Sequence, residues 1–102
     1  MIARVWHGWT DPQNADAYEK LLTGEVFPGI QRVAGSRGAW LLRKQDGDET
    51  AFITITLFDS MDAVRAFAGA DPGKAVILPA AHALLSRFDE RSEHYEVVAK
   101  PS

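Results

Sequence analysis

Glu49-Thr50-Ala51-Phe52-Ile53-Thr54-Ile55-Thr56-Leu57-Phe58 is the stretch on which the fold turns. β-Branched and aromatic residues dominate it, so a strand is expected from Glu49 to Phe58. Alternation sends Ile53, Ile55 and Leu57 to one face and Phe52, Thr54, Thr56 and Phe58 to the other. Neither face is properly polar, and a strand without a solvent face needs cover on both sides. Just upstream, Asp46-Gly47-Asp48 is a hairpin signal, and Arg37 to Gln45 reads as the antiparallel partner. That partner is also apolar on both faces, with Trp40 and Leu42 on one and Ala39 and Leu41 on the other. Downstream, Asp59-Ser60 caps a short helix whose apolar positions are Met61, Val64 and Phe67.

Working outward, Ile2 to Trp9 reads as a first strand. Asp11-Pro12 starts a helix, with Asp as N-cap and Pro where its missing N–H costs nothing. Ala15, Tyr18, Leu22 and Val26 follow at helical spacing, and Phe27-Pro28-Gly29 is expected to kink or end that helix. Asp71-Pro72 repeats the Asp-Pro start, a helix is expected from about Pro79 to Leu85, and Arg87 to Ala99 reads as one last strand. The order is the split βαβ pattern of a ferredoxin-like α+β fold: a four-stranded antiparallel sheet with helices on one face. Burying one large apolar side chain is worth roughly 1.5–3 kcal/mol, so the second apolar sheet face calls for cover. The expected cover is the same face of a second copy about a two-fold axis, giving a homodimer through the sheet face.

The 102 residues leave room for one domain, spanning 1–102. A net charge of −3 with eleven scattered Lys and Arg gives no footprint for nucleic acid. Without cysteine there is no thiolate nucleophile and no Cys-based zinc site. No run of about 18 apolar residues occurs, so no membrane span is expected. The N-terminus shows no basic segment leading into a long apolar one, so a cytoplasmic protein without a signal peptide is expected. There is also no Gly-rich phosphate loop and no Ser in a strand-turn-helix elbow.

Several stretches carry a family likeness: Ala3-Arg4-Val5-Trp6-His7-Gly8-Trp9, Trp40-Leu41-Leu42-Arg43, Phe58-Asp59-Ser60-Met61-Asp62-Ala63-Val64-Arg65-Ala66-Phe67 and His94-Tyr95-Glu96-Val97. On these the chain resembles the small antibiotic biosynthesis monooxygenase-like proteins of the dimeric α/β-barrel group. The resemblance covers nearly the whole chain, but its motifs describe fold and packing and do not specify a reaction. It implies a homodimer with sheets face to face and a pocket between helices and sheet in each subunit. It also implies a cofactor-independent monooxygenase acting on a small aromatic or polycyclic metabolite. The same fold serves heme-degrading proteins and proteins of no assigned reaction, so a non-catalytic binding or stress-response dimer is the alternative. The heme-degrading branch uses an Asn, a Trp at the end of strand three and a His on the following helix. Here Phe58 stands at the strand end, strand one has no Asn, and only His82 could match the helix histidine.

Trp6, Trp9 and Trp40 with Phe58 and Phe67 form a large aromatic set for so short a chain. Most of it is core and interface filler, but a pocket walled by aromatics with a few polar groups suits a flat apolar ligand. If Trp6, Thr54, Thr56 and Phe58 face the helices they line such a pocket, with Tyr18 and His82 adding from the helical layer. Trp40 and Phe67 complete the candidate ligand-binding set. A one-residue slip in register would reverse the assignment. His7 and His82 are the candidate bases, His7 being alternatively a satisfied core histidine. His94 and Glu96 share a strand face, but two ligands do not make a metal site, and a polar pair at a sheet edge or dimer seam is the commoner arrangement. Glu25, Arg4 and Arg43 could orient a substrate or pair across the dimer. No cofactor or metal is expected.

Overall fold

A computed structural model describes residues 1–101. Strand β1 (Ile2–Thr10) leads into helix α1 (Pro12–Leu21), a π-helical turn (Leu22–Val26) and α2 (Phe27–Gln31). The hairpin of β2 (Ser36–Asp46) and β3 (Glu49–Phe58) follows, then α3 (Met61–Ala68), α4 (Pro79–Leu84), β4 (Leu85–Phe88) and β5 (Glu93–Glu96). The sheet order is β2-β3-β1-β4, all antiparallel, with β5 also on β1. This is the ferredoxin-like arrangement, helices on one face.

The hairpin closes through Asp46 opposite Glu49, with Gly47 at φ +59°, a value that favours glycine. In β3, burial alternates residue by residue: Thr50, Phe52, Thr54, Thr56 and Phe58 are buried under the helices. Ala51, Ile53, Ile55 and Leu57 point to the opposite face, where Val5, Trp40 and Leu42 stand across from them. Helix α3 is capped by Ser60, whose Oγ accepts from the Ala63 N–H at 3.2 Å.

Three expectations need correction. The first helix does not end at Phe27-Pro28-Gly29; just before them it widens into the π turn, with the Phe27 N–H bonded to the Leu22 carbonyl. Pro28 would drive its ring into the carbonyl of Gly24 in a regular helix, and the wider turn just before it relieves that conflict. Asp71-Pro72 opens only a turn, closed by Lys74 N–H to Asp71 O at 3.1 Å. The next amide, Ala75 N–H, goes instead to Glu90 O at 3.0 Å, so no helix propagates. The last strand is two strands end to end along one edge of β1, making five in all. Between them the chain leaves β1 to pair with the 71–75 loop: Ser92 N–H donates to Gly73 O at 2.7 Å, and Arg91 forks onto the Asp71 carboxylate at 2.8 and 3.1 Å.

The core forms two clusters. One joins Ala15, Tyr18, Leu22, Phe52 and Ala81, with the Tyr18 and Phe52 rings 4.7 Å apart. The other joins Ile30, Phe58 and Val64, with Phe67 stacked on Phe58 at 5.8 Å. Val26 and Phe27, at the end of the π turn and the start of α2, touch both.

Candidate functional site

The helix-facing row of β3 reads Phe52-Thr54-Thr56-Phe58, large at its ends and small in the middle. Each phenylalanine seeds one core cluster, and the two threonines leave a gap between them. That gap is a half-open cavity of about 210 Å3 between sheet and helices. Its floor is Arg4, Thr54 and Thr56; Trp6 and Tyr18 wall one side and Ile30 and Phe67 the other. Leu22, Glu25 and Val26 of the π turn form part of its cover, and Val76, Ile77 and Leu78 run along its edge. π Turns recur at functional sites because they displace side chains from regular helical positions. Here the turn delivers three residues to the cavity.

Trp6 is held rigidly. Its Nε1 donates to Asp89 O at 2.7 Å, which satisfies the indole N–H. Its ring lies over Gly8, where a Cβ would come within 2.9 Å of the indole and 3.0 Å of Leu85. Tyr18 is 1% exposed, and burial pushes its phenol pKa above the ordinary value, so the hydroxyl stays protonated. Arg4 is 6% exposed. Its Nη2 donates to Lys74 O at 2.8 Å and Pro72 O at 3.4 Å, which ties down the loop along the cavity edge. The guanidinium carbon sits 5.4 Å from the Phe67 ring centroid. Burial pulls the Arg4 pKa below the usual guanidinium value. His94, opposite Arg4 on β5, also has its pKa lowered, first by burial and then by the Arg4 charge.

Of the residues singled out from sequence, Trp6, Tyr18, Thr54, Thr56 and Phe67 come together around the cavity. Phe58 does not line it; it lies fully buried beside it, under Phe67. Trp40 is on the other sheet face, opposite Ile55 and 49% exposed. His7 is on that face too, opposite Ile53, with Nδ1 3.3 Å from the Asp89 carboxylate and its ring stacked on Trp9. His82 is exposed on α4, edge-on to Phe88 at 5.4 Å. Neither candidate base therefore reaches the cavity. His94 turns toward the buried Arg4, and among the described residues no group of three His, Cys, Asp or Glu is placed to hold a metal ion. Sequence reasoning did not assign to the site Leu22, Val26 and Ile30, which read only as apolar helix positions, or the Val76-Ile77-Leu78 edge, whose only signal was an apolar run before Pro79.

No family model matches the sequence, and no curated protein matches it. Solved structures do. A candidate antibiotic biosynthesis monooxygenase from Bacillus cereus superposes with a TM-score of 0.69 at 13% identity, covering 99% of this chain and 96% of that one. A mutant of SnoaB, a cofactor-independent oxygenase from Streptomyces nogalater, gives 0.62 at 22% identity, covering 99% and 94%. The heme degrader MhuD from Mycobacterium tuberculosis, with two hemes bound in its active site, gives 0.62 at 19% identity and 100% of both chains. The chain therefore has the antibiotic biosynthesis monooxygenase fold. At these identities the likeness extends to the fold alone.

Proposed function

We propose that this chain is a monooxygenase-like protein that binds a small aromatic metabolite in the cavity of each subunit of a homodimer and oxidises it without a cofactor. The observation that carries this is the cavity itself: an apolar space of about 210 Å3 with aromatic walls and a short polar floor. A dry cavity of about 150 Å3 takes up benzene, so one or two fused rings fit here, with larger systems projecting through the open side. A porphyrin would need the edge loop to move aside, and no histidine lines the space to hold its iron.

In such a reaction the substrate anion gives an electron to dioxygen. The two radicals combine at a ring carbon, and loss of water from the peroxide leaves a carbonyl. A ring CH2 and O2 become C=O and H2O, so dioxygen supplies one atom to the product and one to water. The protein contributes positioning by Trp6 and Phe67 and a protonated Tyr18 hydroxyl as donor to developing negative charge. Because His7 and His82 lie outside the cavity, the substrate must ionise readily by itself or through Glu25 at the rim. That placement also favours a second reading, binding without turnover.

The homodimer rests on the uncovered sheet face, where Trp40, Leu42 and Tyr95 are 49%, 48% and 52% exposed around Val5, Ile53 and Ile55. Titrating the protein with anthrones and hydroquinones while following tryptophan fluorescence and oxygen uptake tests the whole reading. Saturable quenching with uptake of one O2 per substrate is expected. Quenching without uptake leaves the non-catalytic reading, and no saturable binding at millimolar ligand refutes both.

A further inference from the structure

Arg4 is the buried charge at the floor of the cavity, and its guanidinium has no carboxylate partner among the described residues. Arg37, Arg43, Arg65, Arg87 and Arg91 each hold an Asp or Glu. Arg4, more than nine-tenths buried, has only two backbone carbonyls, both on Nη2. Its Nε is sealed from solvent without any partner, as is the Nε2 of neighbouring His94. A buried cation is ordinarily paired, because removal from water disfavours the charged form unless an anion compensates. The other charged residue lining the cavity, Glu25, is exposed at the rim and makes no ion pair with Arg4.

We infer that Arg4 anchors the carboxylate of an aromatic acid, whose ring lies between Trp6 and Phe67. This rests on the cavity being a ligand site and goes further by naming the ligand class. The anion completes the coordination of the guanidinium, whose Nη1 makes no hydrogen bond with the protein among the described residues. A planar guanidinium suits a planar carboxylate better than an ammonium does. The aromatic walls take the ring, so charge and ring are recognised by separate groups.

The test compares naphthoate with naphthamide, which share a shape and differ in charge, by tryptophan fluorescence titration at neutral pH. Wild-type protein is expected to bind naphthoate about tenfold or more tightly than the amide, the range for a hydrogen bond to a charged group. Arg4→Met is expected to bring the ratio of the two affinities to about one, a ratio in which any loosening of the edge loop that weakens both probes cancels, and Arg4→Lys to keep part of the preference. Equal affinities in wild type, or a preference that survives Arg4→Met, overturn the inference while amide binding sustains the ligand site. Failure of both probes to bind overturns the ligand site as well. Should Arg4→Met not fold, the wild-type comparison still decides.

Discussion

Gly8→Ala is the sharpest probe of how the cavity wall is held. The new methyl would sit 2.9 Å from the Trp6 indole and 3.0 Å from Leu85, both tighter than van der Waals contact. Overpacking of this kind costs about 1–3 kcal/mol. Against it stands about 0.4–1 kcal/mol gained because alanine has less backbone freedom to lose than glycine. The net expectation runs from about zero to about 2.6 kcal/mol of destabilisation, or a Tm lower by up to roughly 20 °C at about 4–8 °C per kcal/mol for a domain of this size. Relieving the contact moves the Trp6 ring away from Gly8, and because that ring lines the cavity and its N–H is held by Asp89 O, the shift alters the cavity wall. Aromatic ligands should therefore bind more weakly to the variant. The same change in a Trp6→Leu background removes the closest contact, so its cost should fall by at least about 1 kcal/mol. Urea unfolding of the four proteins in this cycle measures the coupling. An equal effect of Gly8→Ala in both backgrounds would refute the account of a ring packed on glycine.

Three further outcomes follow from the structure. Ile55→Lys places a charge in the middle of the uncovered sheet face without touching the helix-facing core; sedimentation at micromolar concentration should show dimer for wild type and monomer for the variant. The pKa of His94 is depressed in the folded state, so folding disfavours its protonation and its contribution is fully present above the unfolded value of 6.5. That contribution is lost as pH falls through 6.5 toward the folded pKa, and Tm measured from neutral to mildly acidic pH should drop less steeply in His94→Gln than in wild type. Ser60→Ala removes the cap on α3 and should cost about 1 kcal/mol in urea unfolding, with Ser60→Asp recovering most of it.

Strand and helix positions were largely legible because the forces that set them are local. The alternation in Glu49–Phe58 needs only successive side chains on opposite faces, and the strand has those bounds. Pro12 stands at the start of α1 and Ser60 caps α3 for equally local reasons, although the Asp11 side chain makes no capping hydrogen bond. The same Asp-Pro pair at Asp71-Pro72 misleads, because the Asp71 carboxylate is taken by Arg91 and the Ala75 N–H that would continue a helix goes to Glu90 O, both far along the chain.

The sequence by itself determined the element order through α3, the two apolar faces of the hairpin and the row Phe52-Thr54-Thr56-Phe58 on one of them. It also determined that Trp6 and His7 point to opposite faces of β1, since neighbours in a strand must. Only the tertiary structure decided which of those faces the helices cover, and with it that Trp6 walls the cavity while His7 and Trp40 lie across the sheet. Only the tertiary structure buried Arg4, by laying the 72–74 loop over it about seventy residues later in the chain. Period-two alternation is a property of one strand, whereas burial and charge pairing depend on segments brought together by folding. No local pattern encodes those contacts.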